Sequence, residues 1–223
     1  MFLGHFGVAL AAKKAAPKTS LGTLVLAAQF ADLLWPVLLL LGIERVRIVP
    51  GLLAASPFDF TSYPISHSLV AQLGWGAILG IAYFVARRDG GSALLVGLLV
   101  PTHWVLDFIA HRPDMPIYPG SQKYGLGMWN SVPVTILVEY TLFAAGIAIY
   151  LSVTRAKDRI GNLALWSLLG LLAVVYPASL FGPPPRVAAL AWSAMAIWLT
   201  VPWAAWADRH RQTIAVRSET SSL

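Results

Sequence analysis

Residues 101–114 read PTHWVLDFIAHRPD, a stretch that places His103, Asp107 and His111 four residues apart in an otherwise apolar run. On an α-helix a step of four residues returns to nearly the same face and rises about 6 Å, so the three side chains face one way. The run from about 92 to 111 is long enough to cross a bilayer. A carboxylate between two imidazoles is costly inside a membrane, so this stripe indicates a functional site.

The composition is that of a polytopic membrane protein. Of the 223 residues, 57% are hydrophobic and 12% are charged, and the mean hydropathy is +0.69. We therefore predict an all-α fold, a bundle of about six transmembrane helices preceded by a short N-terminal half-helix. The predicted spans are residues 21–42, 67–86, 92–111, 132–153, 162–181 and 188–206.

We predict one transmembrane domain over residues 1–206, followed by a polar, disordered tail over 207–223. Residues 1–16 form a helix too short to span, and residues 21–153 carry the site. The two predicted spans within 162–206 contain no acid, base or histidine, so we interpret them as scaffold. Pro36 predicts a kink in the first span and a freed backbone carbonyl near Asp32.

The charge pattern predicts the orientation of the chain. The net charge is +6, and most of the 16 Lys and Arg residues fall in the termini and in the loops on the same side. This asymmetry places both termini in the cytoplasm and gives no indication of a nucleic-acid site. The chain has no Cys, which excludes disulfides, thiolate metal ligands and a cysteine nucleophile.

Three of the ten carboxylates, those of Asp32, Asp107 and Glu139, lie within predicted spans, and no Lys or Arg does. Each acid must be protonated, be neutralised by a bound cation, or face a water-filled cavity. His103 lies at the depth of Asp107, while His67 and His111 lie at the outer boundary.

Neutral imidazoles and carboxylates together suit zinc or a similar divalent ion. On a straight helix His103 and His111 are about 12 Å apart, which favours two ions with Asp107 between them unless the helix is broken near Pro113. One ion held by His103, Asp107 and residues of other helices is the alternative. In either case Asp107, Asp32 and Glu139 are the candidate catalytic carboxylates, with Asp32 or Glu139 as a ligand or as the general base.

The sequence also resembles the membrane-bound metal-dependent hydrolase family, described as LexA-binding, inner-membrane-associated hydrolases. The resemblance covers roughly residues 1–140. It is carried by the segments GHF at 4–6, AAQFADLLWP at 27–36, ERVRIVPG at 44–51, YPISHSL at 63–69, HWVLDFIAHRPD at 103–114 and GLGMWNS at 125–131, with Glu139. The resemblance implies an inner-membrane, metal-dependent hydrolase. The metal ligands that it implies are His5, Asp32, His67, His103, Asp107 and His111.

Structural roles are the alternative for each residue. His103 and Asp107 can pair across a helix contact, and Asp32 and Glu139 can be protonated acids bonded to neighbouring helices. On chemistry alone, His5 favours a structural role. The site's predicted place at the outer lipid–water boundary favours a hydrolase that acts on a membrane lipid or a lipid-linked phosphoester. A transporter that passes protons or metal ions is the alternative function, and a non-catalytic protein with a structural metal is the third. The sequence does not identify a protein partner.

Overall fold

The chain folds as an all-α bundle. A computed structural model describes residues 1–214. Within this range five helices are long and apolar enough to cross a membrane, and a sixth span results if the bent pair Leu21–Ala28 and Phe30–Leu40 counts as one. These helices match the six predicted spans to within a few residues. The predicted helical bundle is confirmed, and its apolar helices are those of a multi-pass membrane protein.

Short elements connect the long helices at both ends of the bundle. The α-helices of the described residues are α1 Leu3–Ala12, α2 Leu21–Ala28, α3 Phe30–Leu40, α4 Pro64–His67, α5 Leu69–Arg87, α6 Gly90–Ala110, α7 Val132–Val153, α8 Arg159–Phe181, α9 Val187–Ala194 and α10 Thr200–Arg209. Short 3₁₀ helices cover Met128–Asn130 and Met195–Leu199. The antiparallel strand pairs are β1 Arg45–Ile48 with β2 Phe58–Ser62, β3 Met115–Pro116 with β4 Lys123–Tyr124, and β5 Thr154–Ala156 with β6 Arg211–Thr213.

Polar side chains define where four of the helices begin. Ser20 and Ser68 accept hydrogen bonds from backbone N–H groups at the starts of α2 and α5, and Asp89 and Asp158 do the same for α6 and α8. Each bond satisfies one of the N–H groups that the first turn of a helix leaves without a partner.

Glycines let two helix pairs approach closely. A Cβ atom built on Gly146 of α7 would lie 2.2 Å from the carbonyl oxygen of Gly7 in α1. A Cβ on Gly76 of α5 would lie 2.3 Å from the carbonyl oxygen of Gly97 in α6. Small residues permit this kind of backbone contact between membrane helices. Through the first contact α1, which is too short to span, is held deep in the bundle against α7.

The first predicted span is bent by 57° between α2 and α3. The bend lies at Gln29, whose backbone leaves the helical region, and α3 continues through Pro36. The predicted kink at Pro36 is thus replaced by a break seven residues earlier. The break leaves the carbonyl oxygen of Ala28 free to accept a hydrogen bond from His103 Nδ1, at 3.0 Å.

The predicted C-terminal tail is partly structured. Helix α10 continues to Arg209, and strand β6 pairs with β5, which follows the end of α7. This pairing ties residues 211–213 to the bundle. The remainder of the predicted tail, residues 215–223, lies outside the described residues.

Candidate metal centre

The six candidate ligands come together in one buried cluster. His5 belongs to α1, Asp32 to the first turn of α3, and His67 ends α4. His103 and Asp107 lie in α6, and His111 follows its last residue. The histidines and Asp107 are each at most 3% exposed. Residues distant in the sequence thus converge on one point of the bundle.

The spacing of the ligand atoms fits a divalent ion. His103 Nε2, His67 Nε2 and His111 Nε2 lie 3.2, 3.7 and 3.7 Å from Oδ2 of Asp107. Asp32 Oδ1 lies 3.6 Å from the Nε2 atoms of both His67 and His103. Tetrahedral zinc with bonds of about 2.0–2.1 Å separates its ligand atoms by roughly 3.3–3.4 Å. The groups Asp32–His67–His103 and His5–His103–Asp107 are each compact enough to hold a metal ion.

Hydrogen bonds at the far side of three rings fix which nitrogen carries the proton. His103 Nδ1 contacts the carbonyl oxygen of Ala28, which only accepts, so Nδ1 is the protonated nitrogen. His111 Nδ1 lies 3.0 Å from Oδ1 of Asp114, another acceptor. Such outer partners orient metal-binding histidines and set their tautomers.

The proton of His67 is fixed through a relay. Ser66 Oγ donates to Oε2 of Glu44 at 2.5 Å, and the same oxygen lies 2.6 Å from His67 Nδ1. Since the serine proton points at Glu44, the serine oxygen accepts from His67, whose Nδ1 is therefore protonated. The Nε2 lone pairs of His67, His103 and His111 are thereby all directed into the cluster.

These three lone pairs face carboxylate oxygens, which are also acceptors. His103 Nε2 is buried and has no hydrogen-bond partner within residues 1–214. A group of acceptors facing one another is unfavourable unless a cation lies between them. The donor set and its hydrogen bonding therefore fit a bound divalent ion better than a network of side chains bonded to one another.

The two oxygens of Asp107 have different neighbours. Oδ2 faces His67, His103 and His111, whereas Oδ1 lies 3.1 Å from His5 Nε2 and accepts a hydrogen bond from the α-amino group of Met1. The rings of His5 and His103 stack with centroids 3.6 Å apart. Asp107 thus contacts three histidines through Oδ2 and contacts His5 and the N-terminal amine through Oδ1.

His111 reaches the cluster because α6 ends directly before it. Its backbone is extended, with ψ of 151°, so its ring turns back toward Asp107. His103 and His111 therefore both approach Oδ2 of Asp107. The expectation that about 12 Å separates them, which favoured two ions, assumed a straight helix through residue 111. The end of α6 instead brings both Nε2 atoms within 4 Å of Asp107 Oδ2.

Glu139, a predicted catalytic residue, contacts the backbone of the N-terminal segment. Its carboxylate accepts hydrogen bonds from Phe2 N at 2.9 Å and Gly4 N at 2.8 Å. Through these hydrogen bonds Glu139 fixes the position of α1 and with it of His5. The residue also lines the cavity beside Asp107.

Several supporting residues were not among the predicted ligands. Glu44, 1% exposed, accepts hydrogen bonds from the backbone N–H groups of Ile65 and Ser66 in addition to the serine hydroxyl. Glu44 directly follows the first span, in the segment ERVRIVPG, and this position is the signal that could have identified it. It holds α4, and therefore His67, in place.

Asp114 supports His111 in a similar way. Its Oδ1 accepts from the hydroxyl of Tyr63 at 3.1 Å as well as from His111. Burial raises the pKa of Tyr63 well above its ordinary value, and the neighbouring Asp114 adds to the effect. The tyrosine hydroxyl therefore stays protonated and donates. Arg112 bridges Asp114 to Asp59 of β2.

Two loops, residues 43–66 and 112–131, cover the site. Trp129 and Phe60 pack on the ring of His111, with centroids 4.2 and 4.9 Å away. Ala55 N, in the connection between β1 and β2, donates to the carbonyl oxygen of Trp129 at 2.9 Å. Beneath this cover a cavity of about 340 Å³ reaches Asp32, His67 and Asp107.

Comparisons of the chain with protein-family models, with curated proteins and with solved structures gave no match. The site is therefore described by its own chemistry, as a His- and Asp-lined centre at one end of a multi-pass helical bundle.

Proposed function

We propose that the protein is a membrane-embedded, metal-dependent hydrolase that acts on a lipid or lipid-linked phosphoester, with zinc as the metal. The observation that carries this proposal is the convergence of three Nε2 lone pairs on the carboxylates of Asp32 and Asp107. Imidazole nitrogen with carboxylate oxygen is a donor set typical of catalytic zinc. An inner-membrane location with both termini in the cytoplasm belongs to the same proposal.

A bound ion would activate water and stabilise the charge that develops on the phosphoryl group. In the proposed reaction, the oxygen of a water molecule bonds to phosphorus, and the bond between phosphorus and the ester oxygen breaks. Asp32, whose side chain is 23% exposed and lines the cavity, accepts the proton of the water. The departing alcohol takes up a proton, so that one water is consumed for each ester cleaved.

The rest of the bundle favours hydrolysis over transport. Below the cluster, toward the start of α6, lie the buried apolar residues Leu99, Val100 and Val96. They pack with Leu24 and Phe143 into the main core. An ion or proton pathway requires polar groups or water along its course. Leu99, Val100 and Val96 offer no polar group on the core face of α6.

Turnover by the purified protein tests the proposal. Protein in lipid nanodiscs, loaded with zinc, is incubated with a panel of phospholipids and polyprenyl phosphates, and released phosphate or head group is measured. We expect hydrolysis of at least one lipid class, loss on chelation, recovery with zinc, and loss in Asp107→Asn. Asp158→Asn, the same change at the opposite end of the bundle, is the matched control and should retain activity.

The proposal is contradicted if the zinc-loaded protein hydrolyses none of these lipids, or if Asp107→Asn is as active as the unaltered protein. Zinc or proton flux through protein reconstituted in vesicles would instead support the transporter.

A further inference from the structure

The cavity that reaches Asp107 extends away from the metal centre into the C-terminal helices. Its far walls are formed by one face of α8 and by the segment from the end of α9 to the start of α10. Toward the centre it is lined by carboxylate and imidazole groups, whereas these walls are largely aliphatic. The two predicted scaffold spans thus supply 11 of the 25 residues that line a cavity connected to the site.

Four residues of these walls are both in the cavity and on the surface of the bundle. They are Leu171 and Val175 of α8, which are 46% and 44% exposed, and Ser193 and Ala196 of the facing segment. At 1.5 Å per residue, they lie about 9–15 Å from the ends of their helices at Phe181 and Val187. The hydrocarbon core of a bilayer is about 30 Å thick, so this opening lies within it.

The opposite side of the cavity lies beneath the loops, where Pro57, Phe58 and Trp129 line it and are half-buried. Ala55 and Ser56, between β1 and β2, line the cavity and are buried, and Ala55 is bonded to Trp129. The opening between α8 and the segment 193–200 lies between two candidate membrane spans and so faces lipid.

Two buried donors inside the cavity have no partner among the described residues. These are the indole nitrogen of Trp35 and the hydroxyl of Tyr176, on residues that are 7% and 4% exposed. Both residues line the cavity together with Asp32, Asp107 and Glu139, and the Tyr176 hydroxyl lies near the Glu139 carboxyl group without forming a hydrogen bond to it. Unpartnered buried donors in a cavity are suited to a ligand that brings acceptor oxygens.

We infer that the cavity binds one hydrocarbon chain of a lipid ester, which enters sideways from the membrane between α8 and the 3₁₀ segment Met195–Leu199. Trp35 and Tyr176 donate to the oxygens of the polar group, which lies next to Asp107. About 340 Å³ is near the lower end of ligand pockets, which suits one chain rather than two. This inference rests on the proposed function for the identity of the reacting group, but chain binding itself requires neither metal nor turnover.

Photo-crosslinking tests the inference independently of hydrolysis. The probe is lysophosphatidic acid with a diazirine near the end of its single acyl chain, added to protein in nanodiscs with a chelator present. After irradiation, cross-linked peptides are mapped by mass spectrometry. We expect the labels to concentrate on residues 171–180 of α8 and on 193–200. Labels spread evenly over the lipid-facing helices, or confined to other helices, overturn the inference.

Two substitutions that fill the opening from different helices provide the second arm. Val175→Trp and Ala196→Trp should each lower labelling about tenfold by overpacking the entry. Val174→Trp is the matched control, because Val174 is 68% exposed on the same helix and does not line the cavity. Monodisperse elution and an unchanged thermal unfolding midpoint identify folded variants. Unchanged labelling in both folded variants overturns the inference. If the expected peptides are labelled but no lipid is hydrolysed, the inference stands and the proposed function fails.

Discussion

Replacing Glu44 with Gln should weaken metal binding without changing a ligand. In the native protein Glu44 Oε1 accepts from two backbone N–H groups, of Ile65 and Ser66, and Oε2 accepts from the Ser66 hydroxyl. The amide oxygen of Gln can keep the two backbone bonds, which places its NH₂ group against Ser66 Oγ. The serine hydroxyl must then donate to His67 Nδ1, and the imidazole proton moves to Nε2, the atom directed at the ion.

The expected loss of metal affinity arises because Glu44 supports the candidate ligand His67 through Ser66. Removal of an outer partner of a metal-binding side chain typically lowers metal affinity about 10–100-fold, which equals about 1.4–2.7 kcal/mol. We expect Glu44→Gln to fall in this range. Ser66→Ala, which removes the relay without reversing it, should lose less.

Competition with a chromophoric zinc chelator, on protein in detergent at constant pH, measures the affinity. Ser68→Ala is the control one residue past His67. Ser68 caps α5, so its loss should cost about 1 kcal/mol of stability but leave zinc affinity unchanged. Unaltered affinity in Glu44→Gln, or an equal loss in Ser68→Ala, would refute the tautomer argument.

Two further predictions concern the bundle itself. Gly146→Ala places a methyl group against the backbone of Gly7 and should destabilise the protein by about 1–3 kcal/mol in thermal unfolding. Gly170→Ala, with open space around it, should not destabilise the protein. Equal effects of the two substitutions would contradict the close approach of α1 and α7. The hydrogen bonds that Asp158 accepts from His210 and from Gly161 N lower the pKa of its carboxyl group. The ionised carboxylate therefore stabilises the fold at pH values above the ordinary pKa of 3.8. This contribution is lost as the pH falls through the lower pKa of the folded state. Asp158→Asn should accordingly lower the unfolding midpoint at pH 7 and less below pH 3.8, and a difference that does not change with pH would show that the charge is not responsible.

The spans and most of the cluster were predictable from the sequence, because both depend on local chemistry. Long apolar runs can fold only as helices in a membrane, and Asp107 between two histidines is conspicuous within one of them. Asp32 could be proposed because an acid within a span needs a partner. His67 could be proposed because it lies at the edge of the next span.

The remaining features depend on how distant segments pack. The place of His5 depends on the contact between Gly7 and Gly146 and on the bonds from Glu139 to the start of α1, none of which is visible from spacing. The break at Gln29 has no Gly or Pro at that position to mark it, whereas Pro113, three residues after Ala110, is a local signal for the end of α6. The cavity between α8 and the last helix escaped prediction because its walls are ordinary apolar residues.

Metal content measures the central claim most directly. Protein purified without chelators from zinc-supplemented cells is analysed by plasma mass spectrometry, next to Asp107→Asn prepared in the same way. The convergence of His67, His103 and His111 on Asp107 predicts about one or two divalent ions per chain in the unaltered protein and a nearly complete loss in the variant. A correctly folded unaltered protein without bound metal, or a variant with the same metal content, would contradict the assignment of this cluster as a metal centre.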